Sequence, residues 1–402
     1  MLKSCSLAFI ALLAAGLVDA QGTAFVNFGS AAQTIQGFGG ATAWLPQLTT
    51  AQANALFSNG SAAQLGLSIL RVRIDPAGSG NWSTELANAQ AARARGASVI
   101  ATPWTPPASM KSNNNVVGGT LNTGSYAAFA SYLESFVNFF ASSGVPLAAI
   151  SMQNEPDANV TYESCSWTGA TMDKWVAGNS SVLTVKLIMP ESESFTTSFS
   201  DPALNDPNAV GHIGIVGGHI YGVTPQPYPN AVNKGKQVWM TEHYIANNGI
   251  AGAMQVAREI NDSMSVANYN AYVWWWVEDW PAESFSFGLI DANANVKPTG
   301  AAMGQYSKFI RPGYVRFNST YNPSPNVFVT AYAGSNHHVI VAINTGTTAV
   351  NQPFTIQGAT VTSLTPTRTS SSQNLAQLGA VAVSNNAFTY SLPGQSITTF
   401  AN

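Results

Sequence analysis

Ala148-Ala-Ile-Ser-Met-Gln-Asn-Glu-Pro156 and Gln237-Val-Trp-Met-Thr-Glu-His-Tyr244 each run a short apolar stretch into a glutamate. Both read as buried strands that end on a carboxylate, Glu155 in one and Glu242 in the other. Six further segments share the apolar, β-rich character: Ile35–Gly40, Leu67–Asp75, Ser98–Trp104, Val185–Ser192, Ile215–Gly222 and Tyr269–Val277. Near-continuous apolar runs are what parallel strands covered on both faces require. Amphipathic stretches lie between them, among them Glu85–Arg95, Tyr126–Ala141 and Gly252–Met264. In Tyr126–Ala141 the residues Phe129, Leu133, Phe136 and Phe140 recur at helical spacing, and Gly144-Val-Pro146 stops the helix. Eight strands alternating with helices predict a (β/α)₈ barrel over residues 36–310. A doubly wound open sheet is the alternative, but no glycine-rich phosphate loop follows the first strand.

Beyond Arg311-Pro-Gly313 the pattern changes. Val327–Ala333, His338–Asn344, Gln352–Gln357, Ala380–Ser384 and Ala387–Leu392 alternate apolar and polar residues between Gly, Asn and Pro turns. That alternation predicts an antiparallel β-sandwich over 311–402. Thr23–Asn27 alternates in the same way, so residues 21–35 are expected to add a strand to it. No Pro/Ser/Thr-rich linker separates the two units, which predicts a docked side domain.

The N-terminus opens with a basic Lys3, an apolar run from Leu7 to Val18 and the small-residue stretch Val18-Asp-Ala20. Residues 1–20 are expected to be a cleaved secretory signal, too short to span a membrane comfortably. Asn-X-Ser/Thr sequons at Asn59, Asn81, Asn159, Asn179, Asn261 and Asn318 lean towards a secreted glycoprotein. Loss of Cys5 with the signal leaves Cys165 alone, without an intrachain disulfide partner. With 16 basic and 19 acidic residues and only 9% charged side chains, no basic stripe exists for nucleic acid or a membrane surface. The expected partner is an uncharged polymer, and a monomer is expected.

In a (β/α)₈ barrel, function sits at the C-terminal ends of the strands. The residues falling there are Trp104, Asn154, Glu155, Tyr221, Glu242, Tyr244 and the run Trp274-Trp-Trp276. Two carboxylates facing each other over a barrel mouth suit glycosidic bond cleavage, one donating a proton while the other attacks the sugar. A separation of about 5–5.5 Å would give retention of configuration. Arg71 and Tyr221 are candidates to hold Glu242 ionised, and its charge would keep Glu155 protonated. Trp104 or Trp275 would supply the flat apolar platform that a sugar face needs. Trp239 reads as core, since alternation points it away from the face carrying Glu242. The five histidines show no metal-ligand spacing, so no metal or other cofactor is expected. Without a Gly-X-Ser-X-Gly elbow, a serine esterase is disfavoured.

At these residues the chain resembles glycoside hydrolase family 30, and in particular the endo-xylanases of its subfamily 8. The resemblance is carried by Gln33-Thr-Ile-Gln-Gly-Phe-Gly-Gly40, Leu67-Ser-Ile-Leu-Arg-Val-Arg-Ile-Asp75, Ala101-Thr-Pro-Trp-Thr-Pro-Pro107, Gln153-Asn-Glu-Pro-Asp157, Gly217-Gly-His-Ile-Tyr-Gly222 and Trp239-Met-Thr-Glu-His-Tyr244. It implies a barrel fused to a β-sandwich built from both chain ends, and retaining hydrolysis of β-1,4-xylan. By motif match it implies Glu155 as acid/base and Glu242 as nucleophile. Asn154 would contact the sugar, Arg71 and Tyr221 would support the nucleophile, and Trp104 and Trp275 would line the −1 subsite, with Tyr244 among the binding residues.

One departure stands out. Glucuronoxylanases of the subfamily carry an Arg-rich turn after the eighth strand, which grips a glucuronate branch. Here Trp275-Trp-Val-Glu-Asp-Trp-Pro-Ala-Glu-Ser-Phe-Ser-Phe-Gly288 has no Arg and adds Glu278, Asp279 and Glu283. If these acids faced the branch, each contact at ~4 Å would cost about 1–4 kcal/mol. With that Arg missing, an endo-xylanase independent of glucuronate is expected. The alternatives are a glucuronate-dependent enzyme recruiting Lys111, another retaining β-glycosidase of the same family, or a non-catalytic carbohydrate-binding protein.

Overall fold

The structure, a computed structural model, describes residues 22–280 and 286–402. The expected signal segment and Glu283 lie outside the described residues. The first strand, β1 (Ala24–Thr34), belongs to the C-terminal sheet. The next eight are β2 (Gly37–Ala41), β3 (Ile69–Ile74), β4 (Ser98–Pro103), β5 (Ala149–Ser151), β6 (Lys186–Ser192), β7 (Ile213–His219), β8 (Gln237–Glu242) and β9 (Ala271–Trp276). They pair in parallel in that order and close as β9 meets β2, with Gly37 opposite Ala271. The (β/α)₈ barrel expected from the sequence is thus present, each strand overlapping its predicted segment.

The near-continuous apolar runs have a direct cause. Ile69, Ile100, Ala149, Ile188, Ile215, Trp239, Ala271 and Val273 form one buried cluster with members from seven strands, which fills the barrel interior. The alternate residues, such as Leu70, Val72, Val99, Val238 and Met240, pack outward against the helices. The remaining strand, β2, is glycine-rich because it has no room: a Cβ on Gly39 would sit 2.2 Å from the Ile69 carbonyl oxygen. Helix Tyr126–Ser142 buries Phe129, Leu133, Phe136 and Phe140 completely. Each such side chain contributes about 1.5–3 kcal/mol of transfer free energy.

The C-terminal unit adds β10 (Val315–Ser319), β11 (Val327–Gly334), β12 (His337–Asn344), β13 (Val350–Gln357), β14 (Ser363–Ser370), β15 (Gln373–Gln377), β16 (Val381–Ala382), β17 (Ala387–Leu392) and β18 (Ser396–Ala401). They form one continuous sheet in the order β15-β14-β18-β12-β11-β10-β1-β13-β17, with β16 on β14. The sheet curls so that Phe354 and Phe388 on one layer pack against Phe400 on the other. It is antiparallel except where β1 runs parallel to β13. The two units are docked: Thr399 donates to the Gln305 carbonyl at 2.7 Å, and Gln305 donates to Thr369 at 2.8 Å.

Asn261 is completely buried in helix Ile250–Ser265, so that sequon offers no glycan acceptor in the folded chain. Cys165 is a buried free thiol. Among the described residues no helix is long and apolar enough to cross a membrane.

Candidate active site

The C-terminal ends of the barrel strands open into a cleft of about 540 Å³. Glu242 is the last residue of β8, whereas Glu155 lies four residues past the short β5. The chain reaches Glu155 through a sharp turn in which its φ is +42°, a left-handed value that a glutamate rarely adopts. The turn is pinned by the Glu155 amide donating to the Glu191 carbonyl at 2.9 Å. Such backbone strain persists only where neighbouring structure over-determines it.

The two glutamates meet. Glu155, His219 and Glu242 each place a side-chain ligand atom within 4.8 Å of the others. Arg71 is fully buried beneath them. It donates to Glu242 Oε2 at 2.6 Å, to Asn154 Oδ1 at 2.6 Å and to Thr102 Oγ1 at 3.2 Å. The Tyr221 hydroxyl donates to Glu242 Oε1 at 3.0 Å. Both supports expected for Glu242 are therefore in contact with it. His219 Nδ1 lies 2.9 Å from Glu155 Oε1 and Nε2 faces Glu242 Oε2 at 3.9 Å. This histidine was invisible to a spacing search, because its partners come from different strands. The Glu–His–Glu set has donors for a divalent cation, but Arg71 already meets the charge of Glu242 directly.

The electrostatics separate the pair. Burial, reinforced by the negative charge of Glu193, pushes the Glu155 carboxyl up to about 7. Burial pushes Glu242 upward as well, opposed by His219 and Arg71. Of the coupled pair, the negative charge belongs on Glu242, which accepts from both a guanidinium and a phenol. Glu155 has no guanidinium in direct contact: its side-chain partners are Tyr162 and His219, a ring whose pKa burial lowers. One carboxyl is thus kept protonated near neutrality beside one kept ionised.

Trp104, Tyr221, Tyr244 and Trp275 line the cleft with the two glutamates. The Arg71 guanidinium sits 4.7 Å from the Trp104 ring centroid, and Trp44 meets Trp104 edge to face with centroids 4.8 Å apart. Tyr244 stacks on Phe287 at 4.2 Å. Asn154 is placed below the cleft wall, its carbonyl oxygen turned to Arg71. Sequence reasoning missed Trp44, Tyr162, Glu193, Trp280 and Phe287, which also line the cleft. Trp44 follows the first barrel strand directly, and that position was the available signal. Glu193 likewise comes directly after β6, whereas Tyr162, Trp280 and Phe287 sit on loops whose course no periodicity reveals.

Three expectations need correction. Trp239 is core, but it points into the barrel on the same side as Glu242. The register shows why: Gly218 opposes Met240 and the next residue, His219, opposes Glu242, so Thr241 is an extra residue that resets the alternation. Glu278 and Asp279 do not present charge to the cleft. Glu278 is buried against the Gln52 amide, and Asp279 is paired with Lys297 at 2.7 Å. Lys111 is buried, its ammonium bound to Thr105 Oγ1 and the Ser164 carbonyl, so it cannot reach a branch in the cleft.

The comparisons with known proteins agree with this fold. Residues 81–239 match the glycosyl hydrolase family 30 TIM-barrel domain. The chain is 42% identical to glucuronoxylanase XynC of Bacillus subtilis, over 95% of this chain and 92% of that protein. Its structure superposes on the family 30 subfamily 8 xylanase Xyn30A from Clostridium acetobutylicum with a TM-score of 0.89 at 43% identity, covering 94% of this chain and 99% of the other. A family 30 endoxylanase from Clostridium papyrosolvens C71 gives 0.87 at 39% identity with the same coverages. The chain belongs to glycoside hydrolase family 30.

Proposed function

We propose that this protein is a secreted, retaining endo-β-1,4-xylanase that does not depend on glucuronate branches. The observation that carries the hydrolytic reading is the pair of carboxylates whose oxygens lie within 4.8 Å across an aromatic cleft. That spacing belongs with the retaining geometry and is well short of the inverting one. In the first half-reaction Glu242 attacks the anomeric carbon, and the departing sugar oxygen takes the proton of Glu155. The second half-reaction runs in reverse with water, deprotonated by Glu155, displacing Glu242 from the sugar. The xylan reading is supported by the xylanases to which the chain is similar over nearly its whole length. Secretion rests on the basic start and apolar run of residues 1–20.

Branch independence rests on charge. The described cleft lining contains Glu155, Glu193 and Glu242 but no Lys, Arg or His, and Lys297 is committed to Asp279. A glucuronate carboxylate thus meets no cation in the described cleft lining. Linear xylo-oligosaccharides and glucuronoxylan are expected to be cleaved with kcat/KM values within about tenfold, the span of one weak charge contact. Reducing-sugar release measured side by side checks this. A loss of two or more orders of magnitude on removing the branches would overturn it.

A further inference from the structure

Of the three acidic side chains buried around Arg71, the mechanism so far uses two. The third, Glu191, is fully buried and lines no part of the cleft, so it cannot touch substrate. Its Oε1 lies 3.3 Å from Arg71 Nη2 and 4.0 Å from His219 Nε2. Its Oε2 accepts from the Thr102 hydroxyl at 3.0 Å, and that hydroxyl in turn accepts from Arg71 Nε. Glu191 is also held in a left-handed conformation, φ +54°, and its carbonyl carries the Glu155 amide. One residue therefore grips Arg71 by two routes and fixes the turn that presents Glu155.

The chemistry explains why Arg71 needs a second anion. When Glu242 bonds to the anomeric carbon, the bond to the leaving oxygen breaks and that oxygen takes the Glu155 proton. The negative charge thereby moves from Glu242, now an ester, to Glu155. Arg71 would be left buried with its direct charged partner neutralised, a situation that is strongly unfavourable for a desolvated cation. We propose that Glu191 is a positioning residue, the permanent counter-ion that holds Arg71 in place through both half-reactions while Glu242 alternates between carboxylate and ester. The proposal rests on the retaining reading above. The groups facing Glu191 are Arg71, His219 and the Glu155 turn, with Thr102 as its uncharged donor.

The test is Glu191→Gln, which keeps shape and removes charge, beside Glu191→Asp, which keeps charge. The Gln variant is expected to lose about 100-fold in kcat/KM on linear xylan, as breaking a buried pair implies. Its rate of trapping by an activated 2-fluoro-xylobioside is expected to fall by a similar factor, because the step that neutralises Glu242 is the one affected. Glu191 is among the charges that raise Glu155, and Arg71 pulls Glu155 the other way. Removing the first and unpairing the second moves the alkaline limb of kcat/KM to lower pH. The Asp variant should keep the wild-type limb. A carboxyl-carbon NMR titration of Glu155 reads the same shift without substrate, so it judges Glu191 even if xylan is not hydrolysed. Unaltered trapping and an unmoved Glu155 titration in a Gln variant with wild-type Tm would overturn the proposal. A lower kcat with both unmoved would assign Glu191 a merely structural role and overturn it equally.

Discussion

Glu242→Gln is expected to lower kcat on linear xylan by about 10⁴-fold or more while leaving the affinity for xylo-oligosaccharides within a few fold. The amide preserves the shape of the side chain, keeps one oxygen to accept from Arg71 and turns its NH2 to donate to the Tyr221 hydroxyl oxygen, so the cleft walls stay in place. What disappears is the anion that forms the bond to carbon. Losses of this order are what removal of a covalent nucleophile produces when the rest of a site survives. Steady-state kinetics and calorimetric titration with xylotetraose check the two halves. Substantial residual turnover would remove Glu242 from the nucleophile role. Loss of binding in step with turnover would show instead that the charge serves the ground state.

The second large effect belongs to Glu155. Glu155→Gln should reduce kcat/KM on xylan by about 10³–10⁴-fold, the contribution of a positioned general acid. An aryl xylobioside with a good leaving group needs no protonation, so its first step should slow far less. Added azide, which needs no base, should restore turnover on such a substrate and give a β-glycosyl azide. The pH profile supplies a sign. In the wild type Glu155 works protonated, and burial with Glu193 holds it at about 7. Activity should therefore be present below that value and fall as pH rises through it. In the Gln variant the alkaline limb should vanish. An alkaline limb that persists unmoved in Glu155→Gln would assign it to another group.

How much of this could be read from the residues follows from what each feature depends on. The barrel was legible because eight parallel strands buried on two faces must be apolar almost throughout, and each apolar run ends where the site begins. Glu155 and Glu242 stood out for the same reason: a carboxylate at the end of such a run has few structural uses. The side domain was harder. Strand Ser363–Ser370 is largely Ser and Thr and contains Pro366, and Ser396–Ala401 carries Thr398 and Thr399, so neither alternates clearly in polarity. Their place is set by neighbours across the sheet, and local pattern carries no trace of that. The same limit hid His219 and Glu191, whose partners come from other strands.

Two errors had a single cause, the assumption of regular geometry. One inserted residue, Thr241, was enough to turn Trp239 onto the face of Glu242. The acids after β9 were counted as charge in the cleft because their number is visible in the sequence and their partners are not. Gln52 holds the buried Glu278 and Lys297 pairs with Asp279, so these two acids do not face substrate as the repulsion argument required. Branch independence therefore stands on the lack of a cation in the described lining, not on repulsion.

The central claim is that two carboxylates act in turn on one anomeric carbon, each step inverting it. Proton NMR of a linear xylo-oligosaccharide during its first minutes of hydrolysis tests this most directly. The β-hemiacetal should appear first, with the α-anomer growing only as mutarotation proceeds. Initial release of the α-anomer would mean a single displacement by water, and the assignment of Glu242 as nucleophile would fall.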